Sequence, residues 1–284
     1  MYPSRTHAGG LRGVKIEPSR SKFPFSRSAP CHPAPGAVKK GFSHKMLELK
    51  NVSYRAGEGA EEKEIINHVN LCLCESFIAL TGPNGGGKST LAKLIAGIYV
   101  PTEGQILFNG QDITHASITD RARMGIGYAF QQPVRFKGIT VSDLITLASG
   151  RKLSMSEICD YLSEVGLCAR EYVNREVNAS LSGGELKRIE IAMATARAAK
   201  LTVFDEPEAG IDLWSFGNLI SVFEKMHEKL GGTILIISHQ ERILNIADRI
   251  IVIAGGKIEK DGTRDEVLPG LLQPKTCAVL TGKL

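Results

Sequence analysis

The stretch Phe77 to Thr90, FIALTGPNGGGKST, puts a short apolar run directly before a glycine-rich loop and a helical pattern. The loop fits G-x-x-x-x-G-K-[ST] in the strand–loop–helix setting that this pattern requires. Glycines let backbone N–H groups turn inward around phosphate oxygens, and the N-terminus of the next helix adds its dipole. We predict a phosphate-binding loop made of Gly82, Pro83, Asn84, Gly85, Gly86, Gly87, Lys88, Ser89 and Thr90.

A second apolar run, residues 201–206 (LTVFDE), ends in two acids. An isolated Asp-Glu pair after a strand would be an ordinary solvated turn. In a chain that also carries a phosphate loop, the two acids take part in the chemistry of the bound nucleotide. In that chemistry Lys88 reaches the β- and γ-phosphates, and the Ser89 hydroxyl binds Mg²⁺. We therefore predict that Asp205 lies beside the Mg²⁺ and Glu206 near the γ-phosphate of ATP.

A third segment, LSGGE at 181–185, stands just upstream of the acidic strand. Ser182, Gly183 and Gly184 would expose backbone N–H groups ahead of an amphipathic helix predicted over 185–199, which makes a second phosphate-binding helix N-terminus. One phosphate group cannot be held by both loops within a compact domain unless the loops come from different subunits. The sequence thus predicts an ATP-dependent homodimer or pseudo-dimer.

Other segments alternate between strand-like and helix-like patterns from Met46 onward, as in an α/β domain. Apolar runs at 77–81, 201–204, 233–237 and 249–253 predict buried strands. Residues 141–175 read as mostly helical, with apolar side chains at helical spacing. These side chains are Leu144, Leu147, Ile158, Leu162 and Val165.

The motifs, in this order, resemble those of ABC-type ATPases, and the resemblance covers Met46 to about Leu272. It implies an α/β fold: a P-loop NTPase core with a helical subdomain (about 134–198) and an antiparallel β subdomain. It also implies roles for single residues. These are adenine stacking by Tyr54, Mg²⁺ contact and a link to the helical subdomain by Gln131, capping of the partner's ATP by Ser182, Gly183, Gly184 and Glu185, a dimer-seam contact by Asp212, and γ-phosphate contact by His239. Glu206 would polarise the attacking water, with Lys88 and His239 as the other catalytic residues.

Residues 1–45 differ from the rest in composition, with six of the twelve prolines, nine Lys/Arg and one acid. They read as a disordered extension ahead of an ABC ATPase domain over 46–284. An untranslated or inert extension, a cleaved targeting peptide and a basic arm all remain open. With a whole-chain formal charge of +5 and +8 in this segment, the remainder carries −3. Bulk charge therefore gives no support to nucleic-acid binding.

The partner and the cellular location of the protein are predicted from its apolar runs, its cysteines and several short sequence runs. No apolar run reaches the ~20 residues of a membrane span, and the six cysteines lack disulfide-framework spacing, so we predict a cytoplasmic protein that could meet a membrane through a partner. Four runs resemble the ATPase of the Suf iron–sulfur cluster assembly system, which implies a soluble scaffold partner: AFQQPV (129–134), REVN (175–178), LSGGE (181–185) and SHQERIL (238–244). The alternative is the ATP-binding subunit of a membrane transporter, with a permease as partner.

Overall fold

The computed structural model describes residues 45–57, 62–178, 180–211, 213–229 and 231–272, without the side chains of 213–215 and 229. The prediction for the extension 1–45 lies outside these residues, apart from Lys45, and so does the one for Asp212. The described residues form ten strands and nine helices. The strands are β1 (Leu47–Ala56), β2 (Lys63–Leu73), β3 (Phe77–Thr81), β4 (Glu103–Phe108), β5 (Gln111–Asp112), β6 (Ile126–Ala129), β7 (Leu201–Asp205), β8 (Thr233–Ile237), β9 (Arg249–Ala254) and β10 (Lys257–Thr263). The helices are α1 (Lys88–Ala96), α2 (Ile118–Met124), α3 (Val141–Ser149), α4 (Met155–Glu164), α5 (Ala169–Tyr172), α6 (Gly183–Arg197), α7 (Leu213–Lys229), α8 (Glu241–Asn245) and α9 (Arg264–Leu272).

The larger sheet has six strands in the order β10-β9-β3-β8-β7-β6. Strands β9, β3, β8, β7 and β6 are parallel, and β10 pairs antiparallel at one edge. Every residue of β3, β7 and β8 is buried, as expected of parallel strands covered on both faces. The predicted apolar runs are therefore confirmed as strands. The loops after β3, β6, β7 and β8 all begin at the carboxyl-terminal ends of these parallel strands, and this end of the sheet is called the sheet edge.

Two apolar cores lie on the two faces of the parallel sheet. Successive side chains of a strand point to opposite faces, so β3 sends Ile78 and Leu80 to one core and Phe77 and Ala79 to the other. The first core joins α1 to the antiparallel sheet β2-β1-β4-β5. The second core joins the parallel sheet to α3, α4, α6 and α7. The predicted P-loop core and antiparallel β part are both present.

Helices α3 to α6 follow one another in the chain segment that connects β6 to β7. Leu144, Ile158, Leu162 and Val165 are buried there, as predicted. Leu147 fits the same helical spacing but does not join this buried set, because its side chain is 68% exposed. Val141, Leu144 and Ile145 form the inward face of α3, and at about 100° per residue Leu147 points well away from it. The subdomain limits 134–198 stay a prediction.

The C-terminal end of α1 is held by a buried guanidinium from α2. Arg121 is 1% exposed and donates to the carbonyls of Leu94 (2.6 Å), Ile95 (2.9 Å), Thr114 (2.9 Å) and Ala116 (3.2 Å). The last carbonyls of a helix have no partner within it, so a cation there satisfies them and opposes the negative end of the dipole. Burial lowers the pKa of Arg121 to about 10, which leaves it charged at pH 7. The far end of α1 carries the phosphate loop.

We expect Arg121→Met to lower the free energy of unfolding by about 3 kcal/mol, because it leaves buried carbonyls without donors. Urea denaturation measures this. Arg123→Met is the matched control, since that side chain is 77% exposed and pairs with Asp120 at 3.6 Å. Its effect should stay within about 0.5 kcal/mol. Equal losses in the two variants would show that the buried hydrogen bonds contribute nothing.

Candidate active site

The glycine-rich loop connects β3 to α1 and packs on β9 and β2. Gly82 has φ 135°, and a Cβ there would lie 2.0 Å from the carbonyl oxygen of Ile253. Gly87 has φ 105°, and a Cβ there would lie 2.8 Å from the side chain of Ile66. Both positions combine a left-handed backbone with a close neighbour, which glycine alone tolerates. The helix N-terminus that follows has its N-cap at Gly87, as the loop prediction requires.

Lys88, the first residue of α1, is buried inside this loop. Its ammonium donates to the carbonyls of Gly82 at 2.8 Å and Pro83 at 2.9 Å. Burial lowers the pKa of Lys88, while Glu206 and Asp205 act in the opposite direction. The loop thus encloses the Lys88 ammonium at the place predicted for phosphate.

The hydroxyls of Ser89 and Tyr128 both meet the carboxylate of Asp205, at the end of β7. The Ser89 hydroxyl donates to Asp205 Oδ1 at 3.0 Å, and the Tyr128 hydroxyl donates to Asp205 Oδ2 at 2.9 Å. Burial and the neighbouring Asp205 raise the pKa of Tyr128, so the phenol stays a donor. Tyr128 was not predicted, because a tyrosine on a strand reads as core. Its contact with Asp205 follows from the pairing of β6 with β7, which only the structure shows.

The next contact joins three of the predicted residues. Gln131 Nε2 donates to Glu206 Oε2 at 2.7 Å, and Glu206 Oε1 lies 3.8 Å from His239 Nε2. Burial and Lys88 lower the pKa of His239, so the imidazole is neutral at pH 7. Glu206 has φ 47°, a left-handed conformation that costs about 1–3 kcal/mol in a non-glycine residue and that clusters at functional sites. The sheet edge brings Lys88, Gln131, Glu206 and His239 together.

A buried carboxyl that the sequence did not point to lies behind His239. Glu208 Oε1 accepts from the Ser238 hydroxyl, and Ser238 Oγ in turn accepts from the N–H of Gln240 at 3.0 Å. Burial raises the pKa of Glu208. Because Ser238 and Gln240 flank His239, these contacts tie the loop after β7 to the loop that carries the histidine.

The LSGGE segment begins α6 with a capping box. The N–H of Glu185 donates to Ser182 Oγ at 3.2 Å, and the N–H of Ser182 donates to Glu185 Oε2 at 2.6 Å. The hydroxyl of Tyr172 also donates to Glu185, and Arg175 lies 3.6 Å away. These contacts lower the pKa of Glu185 to about 2. Ser182 and Gly183 are exposed, and α6 ends at Arg197 rather than at the predicted 199.

Tyr54, on β1, packs against a second tyrosine. Its ring stacks on Tyr99, with centroids 5.0 Å apart and 9° between the planes. Tyr99 follows the C-terminal end of α1, whereas the phosphate loop is at the other end, about 13 Å away at 1.5 Å per residue. The structure therefore does not bring Tyr54 to the phosphate loop, and its contact with adenine stays a prediction.

The fold and the gathered side chains define a phosphate-loop nucleotide hydrolase. Residues 66–209 match the family model described as ABC transporter. The uncharacterized ABC transporter ATP-binding protein MJ0035 of Methanocaldococcus jannaschii is 42% identical over 224 residues, 76% of this chain and 88% of that protein. This chain belongs to the ABC transporter family, as its ATP-binding, ATP-hydrolysing domain.

Two further comparisons agree with this assignment. The sulfate/thiosulfate import ATP-binding protein CysA 1 of Agrobacterium fabrum is 35% identical over 206 residues, 67% of this chain and 56% of that protein. The dimeric post-hydrolysis structure of the ATP-binding cassette MJ0796, bound to ADP and Pi, superposes with a TM-score of 0.69 at 26% identity, over 77% of this chain and 99% of that chain. None of these three relatives is named as a Suf-system protein. In the described part of this chain, no helix is long and apolar enough to cross a membrane.

Proposed function

We propose that this chain is the ATPase subunit of an ABC transporter, with Lys88 and Ser89 holding the nucleotide phosphates and Glu206 activating water. The observation that carries the proposal is the contact chain Gln131–Glu206–His239 beside the buried Lys88. A carboxylate held by an amide on one side and facing a neutral imidazole on the other is positioned to accept a proton from water. Lys88 supplies positive charge where charge develops on the phosphoryl group.

Magnesium fits the oxygen groups present. Mg²⁺ is usually held by one or two carboxylates together with substrate phosphates. The Ser89 hydroxyl and the Asp205 carboxylate are 3.0 Å apart, and the amide of Gln131 is the third predicted ligand. The described residues contain no cluster of three or more His, Cys, Asp or Glu that could hold a metal by themselves. When bound, the ion would neutralise charge on the phosphate oxygens; Ser89, Asp205 and Gln131 would hold it.

The ATP site is completed by a second copy. The start of α6 offers the backbone N–H groups of Gly183 and Gly184, the Ser182 hydroxyl and the positive end of a 15-residue helix. Lys88 and its neighbours are gathered at the sheet edge, whereas Ser182 contacts Glu185 within its own helix. The similar MJ0796 cassette is a dimer in its solved structures, which supports a dimer here in which Ser182 of each copy caps the nucleotide of the other.

A permease is the partner that the relatives favour. CysA 1 is named as an import ATP-binding protein, and MJ0035 as an ABC transporter ATP-binding protein. An apolar cavity of about 240 Å³ lies next to Gln131, between β6, α3 and α6. Phe130, Val134 and Phe136 line it and are 42%, 49% and 36% exposed. A partner segment in this cavity would sense the movement of Gln131 as the dimer closes.

A soluble Suf-type scaffold is the second candidate. It is favoured by the resemblance of the runs at 129–134, 175–178, 181–185 and 238–244 to the Suf ATPase. Three of these runs have a structural setting, since Arg175 pairs with Glu185 at the start of α6 and Ser238 binds Glu208 beside His239. Those contacts lie within this chain and serve either partner equally well.

Cell fractionation separates the two partners. We expect the untagged chain to sediment with membranes and to be released by detergent together with a multi-span protein, because a permease holds it there. The supernatant from the same lysate, spun without detergent, is the comparison arm. Recovery there with a stoichiometric soluble partner would replace the permease by the scaffold. The ATPase assignment would stand in both cases.

A further inference from the structure

A buried lysine on α6 reaches across to the first residues after β6. The side chain of Lys187 is 1% exposed. Its ammonium donates to the carbonyl of Phe130 and, at 3.4 Å, to that of Gln131. Lysine is almost never fully buried unless paired, so this position has a specific reason to carry a cation.

A largely buried carboxylate, Glu190, lies one helical turn further on and meets the same backbone; its side chain is 16% exposed. Glu190 Oε1 accepts from the N–H of Phe130 at 2.8 Å, and Glu190 Oε2 lies 3.0 Å from the Lys187 ammonium. The second contact is an ion pair without hydrogen-bond geometry, because Oε2 has no hydrogen-bond partner. Burial raises the pKa of Glu190, and Lys187 acts against that rise. The lysine thus pairs with the backbone carbonyls through hydrogen bonds and with the carboxylate through charge.

Lys187 and Glu190 give the backbone of Phe130 the hydrogen bonds that a neighbouring strand would otherwise provide. Pairing of β6 with β7 stops at Ala129 opposite Phe204, so the N–H and C=O of Phe130 have no strand to bond with. An apolar pair would pack here at least as well, since a buried ion pair rarely stabilises a fold more than hydrophobic residues of the same volume. What an apolar pair cannot do is fix the position of Phe130 and Gln131. The charges therefore point to a requirement for accurate placement.

We propose that Lys187 and Glu190 are positioning residues for the hydrolytic reaction: they hold the Phe130–Gln131 backbone so that the Gln131 side chain orients Glu206. The inference rests on the role proposed for Glu206. The link is short, because Gln131 Nε2 donates directly to Glu206 at 2.7 Å. Since Ser182 caps the same helix, α6 connects the surface that meets the partner's nucleotide with the carboxylate of its own site.

The test is the double variant Lys187→Met/Glu190→Leu, purified as the full chain. Both replacements are apolar and of similar volume, so no buried charge is left unpaired and the fold should be kept, with a thermal midpoint lowered only by the loss of the two hydrogen bonds to the N–H and C=O of Phe130. We expect kcat for ATP hydrolysis to fall at least about tenfold while KM for ATP changes less than about twofold. A purely structural pair would not produce this split. Each single variant should be less stable than the double, because it leaves one buried charge unpaired.

Two controls make the result decisive. Ile191→Ala on α6 removes a fully buried apolar side chain, which can neither donate to nor accept from the Phe130–Gln131 backbone, and should lower the thermal midpoint with kcat kept. In a Gln131→Ala background, the double variant should cost little further kcat, because the two act as one unit.

Glu206→Gln, run in parallel, separates the inference from the function on which it rests. If it is inactive while the double variant keeps the wild-type kcat, the positioning role is overturned and the proposed function stands. If Glu206→Gln is itself active, both fall. A loss of kcat in Ile191→Ala as large as in the double variant would also overturn the positioning role.

Discussion

Glu206→Gln should retain ATP binding and lower kcat about 10²- to 10⁴-fold, the range attributed to a positioned general base. The amide keeps the size and hydrogen-bonding capacity of the side chain towards Gln131 but cannot accept a proton from water. It also removes a negative charge beside the γ-phosphate, which favours a closed, ATP-bound dimer. Size-exclusion chromatography with ATP and Mg²⁺ should show the larger species, and an equilibrium binding assay should show undiminished affinity.

Glu224→Gln is the matched control for this substitution. Glu224 lies on an exposed position of α7, so the same loss of charge should leave turnover and elution unchanged. Turnover of Glu206→Gln close to that of the wild type would remove Glu206 from its assigned role and would direct attention to Glu208, the buried carboxyl two residues further on.

The elements that position the site were predictable because local chemistry dictates them. β3, β7 and β8 read as short apolar runs, and each is buried along its whole length. Parallel strands put the residues after them at one edge, so motifs separated by more than a hundred residues meet there. Ser89 and Asp205, 3.0 Å apart, are the clearest example. These predictions needed only pattern and topology.

The residues that support the site were not predictable in the same way. Lys187 and Glu190 are charged side chains on an amphipathic helix, where exposure is the ordinary expectation. Their burial follows from the end of the β6–β7 pairing at Ala129, which only the three-dimensional register shows. Glu208 is similar, since its partner Ser238 lies 30 residues away on another strand's loop.

For Tyr54 and Leu147, the sequence pattern identified the residue but not the direction of its side chain. Tyr54 fits a motif by its spacing, but the ring's direction depends on the irregular β1–β2 pairing, which shifts register on either side of it. Leu147 fits a helical period, but α3 is only nine residues long and packs through a narrower face. Sequence spacing identified the element in both cases, and the packing of neighbouring elements decided where the side chain points.

Lys88→Ala and Ser182→Arg should each abolish hydrolysis, but by different routes. Removing the buried ammonium of Lys88 should weaken ATP binding about 10- to 100-fold, as expected for loss of a charged hydrogen-bonding group. Arginine at Ser182 should leave the affinity of its own chain for ATP unchanged, because Ser182 contacts Glu185 and the start of α6 rather than the phosphate loop. Ser221→Arg, at an exposed position of α7, controls for the added bulk and charge.

Mixing the two inactive proteins tests whether the site is shared. In a heterodimer, one site combines a mutated Lys88 with a mutated Ser182 and is dead, while the other combines the two native residues and is complete. Random 1:1 mixing makes half of the dimers hybrid, so about a quarter of the wild-type activity should return if the two sites act independently. A site built within one chain predicts no recovery at any ratio. Because each parent protein is inactive alone, any turnover in the mixture must come from hybrid dimers, and its absence despite hybrid formation would rule out a composite site.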